Sequence, residues 1–254
     1  MHQITWLDIS IGLIPVGITL LIIFYWEKSA KSAFIAVIRM LIQLLLIGYV
    51  LNFIFTSSNH WIILFVLVFM LCAASWIALN ALPVSRKTLF QYSLIAISVG
   101  GIFNLILITQ GVLRITPWYQ PMVMIPLAGM IFSNSMNTLS LAGERFYSEL
   151  GHQPDSLRAR NIAFQTAMIP VINSLLAVGL VSLPGMMTGQ ILTGVSPLIA
   201  ARYQIMVMCM IFSSSGISAA LFLWLIRRKM AGLQTIGGNT QNLDDVSDDY
   251  RQKK

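Results

Sequence analysis

The chain has 254 residues, of which 57% are hydrophobic and 10% charged, and its mean hydropathy is +0.78. Soluble domains carry about 25% charged residues, so this composition excludes a water-soluble globular protein. The net charge of +7 comes from short basic clusters between apolar runs, a distribution that orients membrane helices and does not build a nucleic-acid surface.

A membrane helix needs roughly 20 apolar residues to cross a core about 30 Å thick. About seven such stretches are predicted, giving an all-α polytopic bundle. The first covers 9–26. No basic region precedes it and no A-x-A-like site follows, so it reads as a retained helix. The second, 34–55, carries Arg39 and Gln43, four apart and on one helix face. Arg39 sits near the inner end, where it either snorkels to the interface or stands at the mouth of a pathway. The third covers 61–82. The fourth, 89–111, holds Gly100, Gly101 and Asn104.

The fifth span, 121–142, reads PMVMIPLAGMIFSNSMNTLSLA. Gly129, Ser133, Asn137 and Ser140 recur at helical spacing, with Asn134 beside them. Such a stripe either lets helices approach and hydrogen-bond or lines a substrate path. The same two readings apply to Asn104, to Asn173 and Ser174 in the sixth span, 163–183, and to Gln204 in the seventh, 203–226.

Connectors are short except 143–162 and 184–202. In the second, Pro184-Gly185 is expected to end the sixth helix. The apolar run 186–194 is too short to span and suits a half-helix or re-entrant element. Gly185 and Gly189 form a small-xxx-small pair. Pro184, Gly185 and Gly189 are therefore either a gate at the outer end of a pathway or a static turn. Residues 1–231 read as one transmembrane domain and 232–254 as a disordered cytosolic tail.

Lys28, Lys31, Arg86, Lys87, Arg145, Arg158, Arg160, Arg227, Arg228 and Lys229 fall on one set of connectors. Arg114 and Arg202 fall on the other. The positive-inside rule then puts the N-terminus outside and the C-terminus in the cytosol. Trp6, Trp26, Trp61, Trp118 and Tyr203 sit at span ends, as interfacial aromatics do. The expected location is the cytoplasmic membrane.

No Asp or Glu falls inside a span, which argues against an ion-coupled carrier. No GxxxxGK[ST] loop occurs, so active transport would draw on ATP hydrolysed by another subunit. No acid–base pair converges, so an enzyme is not expected. Cys72 and Cys209 read as small core residues. His2, His60 and His152 lie in loops, with His152 on the opposite side, and cannot form one metal site. The 14 methionines could offer thioethers to Cu(I) or fill gaps between helices. No cofactor is expected.

Three stretches, RMLIQLLLIGYVL (39–51), IPLAGMIFSNSMN (125–137) and IPVINSLLAVGLVSLPGMMTGQILTGVSPLIAARYQIMVM (169–208), resemble the FetB-like iron-export permease family. Plant aluminium-tolerance permeases belong to the same group. GLVSLPGMMTGQ is the most specific run, and the likeness covers most of 34–226. The resemblance implies the membrane subunit of an ABC transporter that exports iron or another metal with a separate cytosolic FetA-like ATPase. Two-fold assembly of the chain is the expected arrangement. The resemblance also implies that the stretch GERFYSELGHQPDSLRARN (143–161) presses on the ATPase. Glu149, Gly151, Pro154, Arg158 and Arg160 are the coupling candidates, against the plainer reading of a solvated loop. The alternative function is an ATP-independent facilitator or a membrane assembly factor. Iron favours carboxylate, imidazole or thiolate ligands, whereas these spans offer amide, hydroxyl and thioether groups, which suits a low-affinity polar passage.

Overall fold

The computed structural model describes residues 5–26, 30–56, 59–152 and 155–236. Lys28, Pro154 and residues 237–254 of the expected tail lie outside the described residues. The chain divides into two units, Met1–Ser58 and Asn59–Lys254.

The first unit holds α1 (Trp6–Gly12), α2 (Ile14–Trp26) and α3 (Ala30–Thr56), with α2 packed on α3. Thr5 and Asp8 form a capping box. Asp8 Oδ2 accepts from Thr5 N at 2.7 Å, and Thr5 Oγ1 accepts from Asp8 N at 3.4 Å. Donors that the first helical turn would leave unpaired are thereby satisfied. The first expected span is interrupted at Leu13, two residues before Pro15, whose nitrogen cannot donate to the preceding turn.

The second unit holds α4 (His60–Ile77), α5 (Arg86–Ile106) with a π-helical end (Leu107–Val112), α6 (Pro121–His152), α7 (Ser156–Ala177), α8 (Gly185–Leu192) and α9 (Pro197–Ile236). Helices α5, α6 and α9 pack mutually. Helix α4 covers α5 and α6, α7 lies against α6 and α9, and α8 rests on α9. Ile97, Ile131, Leu139, Phe146, Phe222 and Leu223 are among the fully buried side chains. Lipid tails are as apolar as these side chains, so close packing and hydrogen bonds must hold the helices together. Small residues allow it. A side-chain carbon on Gly101 would stand 2.9 Å from the Phe132 ring, and one on Gly143 2.9 Å from Leu82. Ser93 Oγ donates to Ser75 O at 3.0 Å, joining α5 to α4.

Six segments among the described residues are long and apolar enough to cross a membrane: Asp8–Trp26, Lys31–Leu51, His60–Ile77, Arg86–Val112, Pro121–Gly151 and Pro197–Lys229. Large apolar side chains such as Phe65, Phe69 and Ile205 stand outward from the second unit, as lipid-facing residues do. Helix α7 is the seventh long helix. Arg158 and Arg160 near its start lower its apolarity, and it lies alongside part of α9. Arg160 lines a cavity with Trp224 of α9, whereas Ala177 shares a cleft with Met208, 16 residues back and about 24 Å away along α9.

Several boundaries depart from the sequence reading. The expected connector 143–162 is mostly helix: α6 continues to His152 and α7 begins at Ser156. Phe146 in this stretch is fully buried, so packing carries the helix on. The sixth span ends at Ala177, before Leu183. Val178 is extended and Gly179 adopts φ +82°, a conformation that glycine takes at little cost. Val181 N and Ser182 N both donate to Ala177 O. Pro184 therefore does not break α7; it is the N-cap of α8. The half-helix expected at 186–194 is the eight-residue α8.

Candidate functional site

Asn134 and Asn137 on α6 and Asn173 on α7 line one cleft of about 520 Å³, together with Thr138, Ser174, Ser182 and Pro184. Met208 and Ile211 of α9 close its floor. Residues 134, 137, 138 and 141 lie on one helical face because three- and four-residue steps return to the same side. On α7 the residues 170, 173, 174 and 177 do the same. Pro170 lies inside α7 and removes one backbone donor where the cleft forms. Ser174 Oγ donates to Pro170 O at 3.0 Å, Asn134 Nδ2 to Met130 O at 2.8 Å, and Thr138 Oγ1 to Asn134 O at 2.9 Å. These bonds tether the side chains to their own helices and leave carboxamide and hydroxyl oxygens as acceptors. The cleft holds no charged side chain. Among the described residues no three of His, Cys, Asp and Glu converge on a possible metal position.

Asn137, Asn173 and Ser174 are exposed on this face. A carboxamide facing hydrocarbon without a partner costs several kcal/mol on cyclohexane-type scales, roughly 4–8. A polar surface of this kind at membrane depth is stable against water or another protein surface.

Other sequence candidates fall elsewhere. Asn104 is 3% exposed between α5 and α9, with Nδ2 donating to Gly100 O at 2.7 Å and Oδ1 accepting from Ser213 Oγ. It links α5 to α9. Gln204 is buried on α9, and its Oε1 has no hydrogen-bond partner among the described residues, like Oε1 of Gln190 on α8. Neither glutamine lines the cleft. Arg39 and Gln43 lie one turn apart on α3, in the first unit.

The expected stripe on α6 divides. Gly129 faces Met70 of α4, at 3.4 Å from an added side-chain carbon, whereas Asn137 faces the cleft. The cleft face is centred on Asn134 rather than Ser133. Thr138, Pro170 and Ser182 were not anticipated. Thr138 could have been found from its step of four from Asn134. Gly185 and Gly189 do not form a close-packed pair: an added carbon at either meets nothing within 4 Å. Pro184 alone of the gate candidates lines the cleft. Cys209 is exposed and Cys72 half-buried, so neither is a core residue in the full sense.

At one end of the second unit the start of α5, the end of α6, the start of α7 and the end of α9 bring together Arg86, Lys87, Arg145, Arg158, Arg160, Arg227, Arg228 and Lys229. Lys229 Nζ lies 3.5 Å from Thr88 O and 5.3 Å from the Tyr92 ring centre. Arg114 and Arg202 lie at the opposite end. The α6–α7 hairpin projects at the basic end. Arg145 Nη2 pairs with Glu149 Oε1 at 2.5 Å. Gly151 is in the last turn of α6, and a side-chain carbon added there would meet nothing within 4 Å among the described residues. Asp155 caps α7, accepting from Leu157 N at 2.9 Å and Arg158 N at 3.3 Å. Arg158 is exposed, while Arg160 lies on the far side of α7 and donates Nε and Nη2 to Asn161 Oδ1 at 3.2 and 2.9 Å.

A bundle of long apolar helices, with a polar cleft between two of them and a basic hairpin at one end, is that of a multi-pass helical membrane protein. The chain belongs to the family described as "Uncharacterised protein family (UPF0014)", which matches residues 6–231. It is 37% identical over 246 residues to the "Probable iron export permease protein FetB" of Escherichia coli, covering 90% of this chain and 93% of the relative. It is 33% identical to a UPF0014 membrane protein of Synechocystis, over 85% and 90% of the two chains. It is 31% identical to the "Protein ALUMINUM SENSITIVE 3" of Arabidopsis thaliana, over 72% and 71%. The family that the sequence resembles is thus the family to which the chain belongs. No solved structure matches the chain.

Proposed function

We propose that the chain is the permease subunit of an ABC-type exporter for iron or another metal species, energised by a separate cytosolic ATPase. The observation that carries this reading is the amide-lined cleft between α6 and α7, where Asn137, Asn173 and Ser174 are exposed. Two copies facing each other across these clefts would enclose a polar passage and remove the carboxamides from lipid. Carboxamide and hydroxyl oxygens bind a bare transition metal weakly, so the cargo suited to this passage is a hydrated or chelated metal. The basic end is assigned to the cytosol by the positive-inside rule, which places the N-terminus outside. The hairpin from Glu149 to Arg160 then points at the ATPase, with Gly151 and Arg158 on its free surface. The 178–184 turn, ending at Pro184, stands at the outer end of the cleft as its gate.

The name of the Escherichia coli relative supports iron as cargo, and the lack of a GxxxxGK[ST] loop in the sequence supports a partner that hydrolyses ATP. The test is a pull-down from native membranes followed by metal uptake into inverted vesicles. Co-purification of an ATPase and ATP-dependent uptake are expected. Uptake that proceeds equally without ATP would replace this reading with a facilitator.

A further inference from the structure

Opposite the amide cleft, α7 forms a second groove with α9. Two adjoining cavities of about 380 and about 480 Å³ share Phe164 and Gln165 and make one continuous trough. Its two walls keep register. Arg160 and Trp224 stand at one end, Met168 and Gly216 at the middle and Ile172 and Phe212 at the other end. A side-chain carbon on Gly216 would lie 3.7 Å from Met168 Cε. Each step along α7 is matched by an equal step back along α9, because the helices run antiparallel. The twelve steps from residue 160 to residue 172 span about 18 Å at the helical rise. One leaflet of the hydrocarbon core is about 15 Å deep.

The trough is cationic at one end and apolar along the rest. Arg160 has two of its nitrogens held by Asn161, which fixes the guanidinium and leaves Nη1 to donate elsewhere. One turn beyond Trp224, the Arg228 guanidinium lies 5.2 Å from the Trp224 ring centre. Guanidinium groups are suited to phosphate oxygens. The lining of the trough contains no carboxylate that would neutralise them. Past Gln165 the lining is apolar except for Ser213, whose hydroxyl is already bonded to Asn104. Gly216 and Ala220 give the trough its depth.

The geometry points to a binding site for one anionic phospholipid in the leaflet at the basic end. Its phosphate sits at Arg160 and Arg228, and one acyl chain lies along Met168 and Gly216. A second copy of the chain suits this face poorly. A two-fold axis along the membrane normal sets identical residues at the same depth, so the two arginine pairs would meet each other. A free anion would leave the apolar length of the trough without an occupant. The site is independent of whatever passes through the cleft on the other side of α7.

The test uses the full chain, purified and stripped of lipid in detergent, then mixed with equal amounts of phosphatidylglycerol and phosphatidylcholine of the same acyl length. Native mass spectrometry counts the lipid retained. One phosphatidylglycerol per chain is expected, with a preference of about tenfold. Arg160→Gln combined with Arg228→Gln should remove the preference, and Ala220→Phe, which fills the trough from an exposed position, should lower retention of both lipids. The arginine pair decides the matter alone if the Phe variant does not fold. Equal retention of the two lipids by the native chain overturns the proposal, as does a preference that survives loss of both arginines. Displacement of the lipid by glycerol phosphate would reduce the site to an anion site and overturn it too. Dissociation of a dimer by Ala220→Phe with unchanged lipid retention would make the trough an interface between copies instead.

Discussion

Ser213 on α9 donates its hydroxyl to the carboxamide oxygen of Asn104 on α5, and that carboxamide donates in turn to Gly100 O. One turn away, the missing side chain of Gly100 leaves room for Ser218 of α9. A short polar chain and a close approach thus fix the same helix pair. Hydrogen bonds between membrane helices contribute about 0.6–2 kcal/mol. Asn104→Leu should therefore lower the thermal unfolding midpoint while transport per folded molecule stays normal. A normal midpoint with transport lost would return Asn104 to the pathway.

The glycines divide sharply. An added carbon at Gly100 would crowd Ser218 and stand 3.0 Å from the backbone of α9, and at Gly185 it would meet nothing. Gly100→Ala should destabilise by about 1–3 kcal/mol, the usual range for overpacking. Gly185→Ala should be neutral or stabilising by up to about 1 kcal/mol, since it only restricts the unfolded chain. Melting curves of the two purified variants compare these directly. A large loss at Gly185 would show that something packs there in the assembled protein.

Within the cleft, Asn137 and Asn173 are exposed, and among the described residues neither side chain hydrogen-bonds another helix. Asn137→Leu and Asn173→Leu should leave the amount of folded protein unchanged. Loss of one hydrogen bond to the cargo or its water, about 1–1.5 kcal/mol, should slow transport roughly tenfold. Rates per folded molecule in vesicles measure this. Normal rates in both variants would remove the cleft from the pathway.

Orientation is open to chemical labelling. In a chain without Cys72 and Cys209, a cysteine placed at Gln120 should react with an impermeant thiol reagent in intact cells. One placed at Ser156 should react only after the membrane is opened. Labelling of Ser156 from outside would invert the assignment made from the basic clusters.

Helix positions were legible because apolar length is a strong signal, and Asn134, Asn137 and Asn173, which line the cleft, stood out because carboxamides have no reason to sit in a span by default. The end of α7 was not legible. Leu180 and Val181 are apolar yet 89% and 85% exposed, so hydropathy continues past the point where Gly179 turns the chain. The continuation of α6 to His152 was hidden by its charges. Its signal was present in Leu139, Ala142 and Phe146, buried at helical spacing, and in the Arg145–Glu149 pair one turn apart. The choice of face on α6 was beyond reach, since Gly129, Ser133, Asn134 and Asn137 are all small or polar, and only the neighbours decide which of them meet α4 and which meet α7.

Helix α6 carries a proline at Pro126 and then runs without another to His152. Its remaining length acts as a stiff beam with a weak point near one support. From Pro126 the distance to Asn137 is roughly 16 Å and to Glu149 roughly 35 Å along the axis. A beam hinged at that proline scales motion by the ratio of the two arms. If α6 bends there, a shift of a few ångströms at the hairpin becomes about half as large at the cleft. The gearing is set by where one ring-closed residue falls in the sequence.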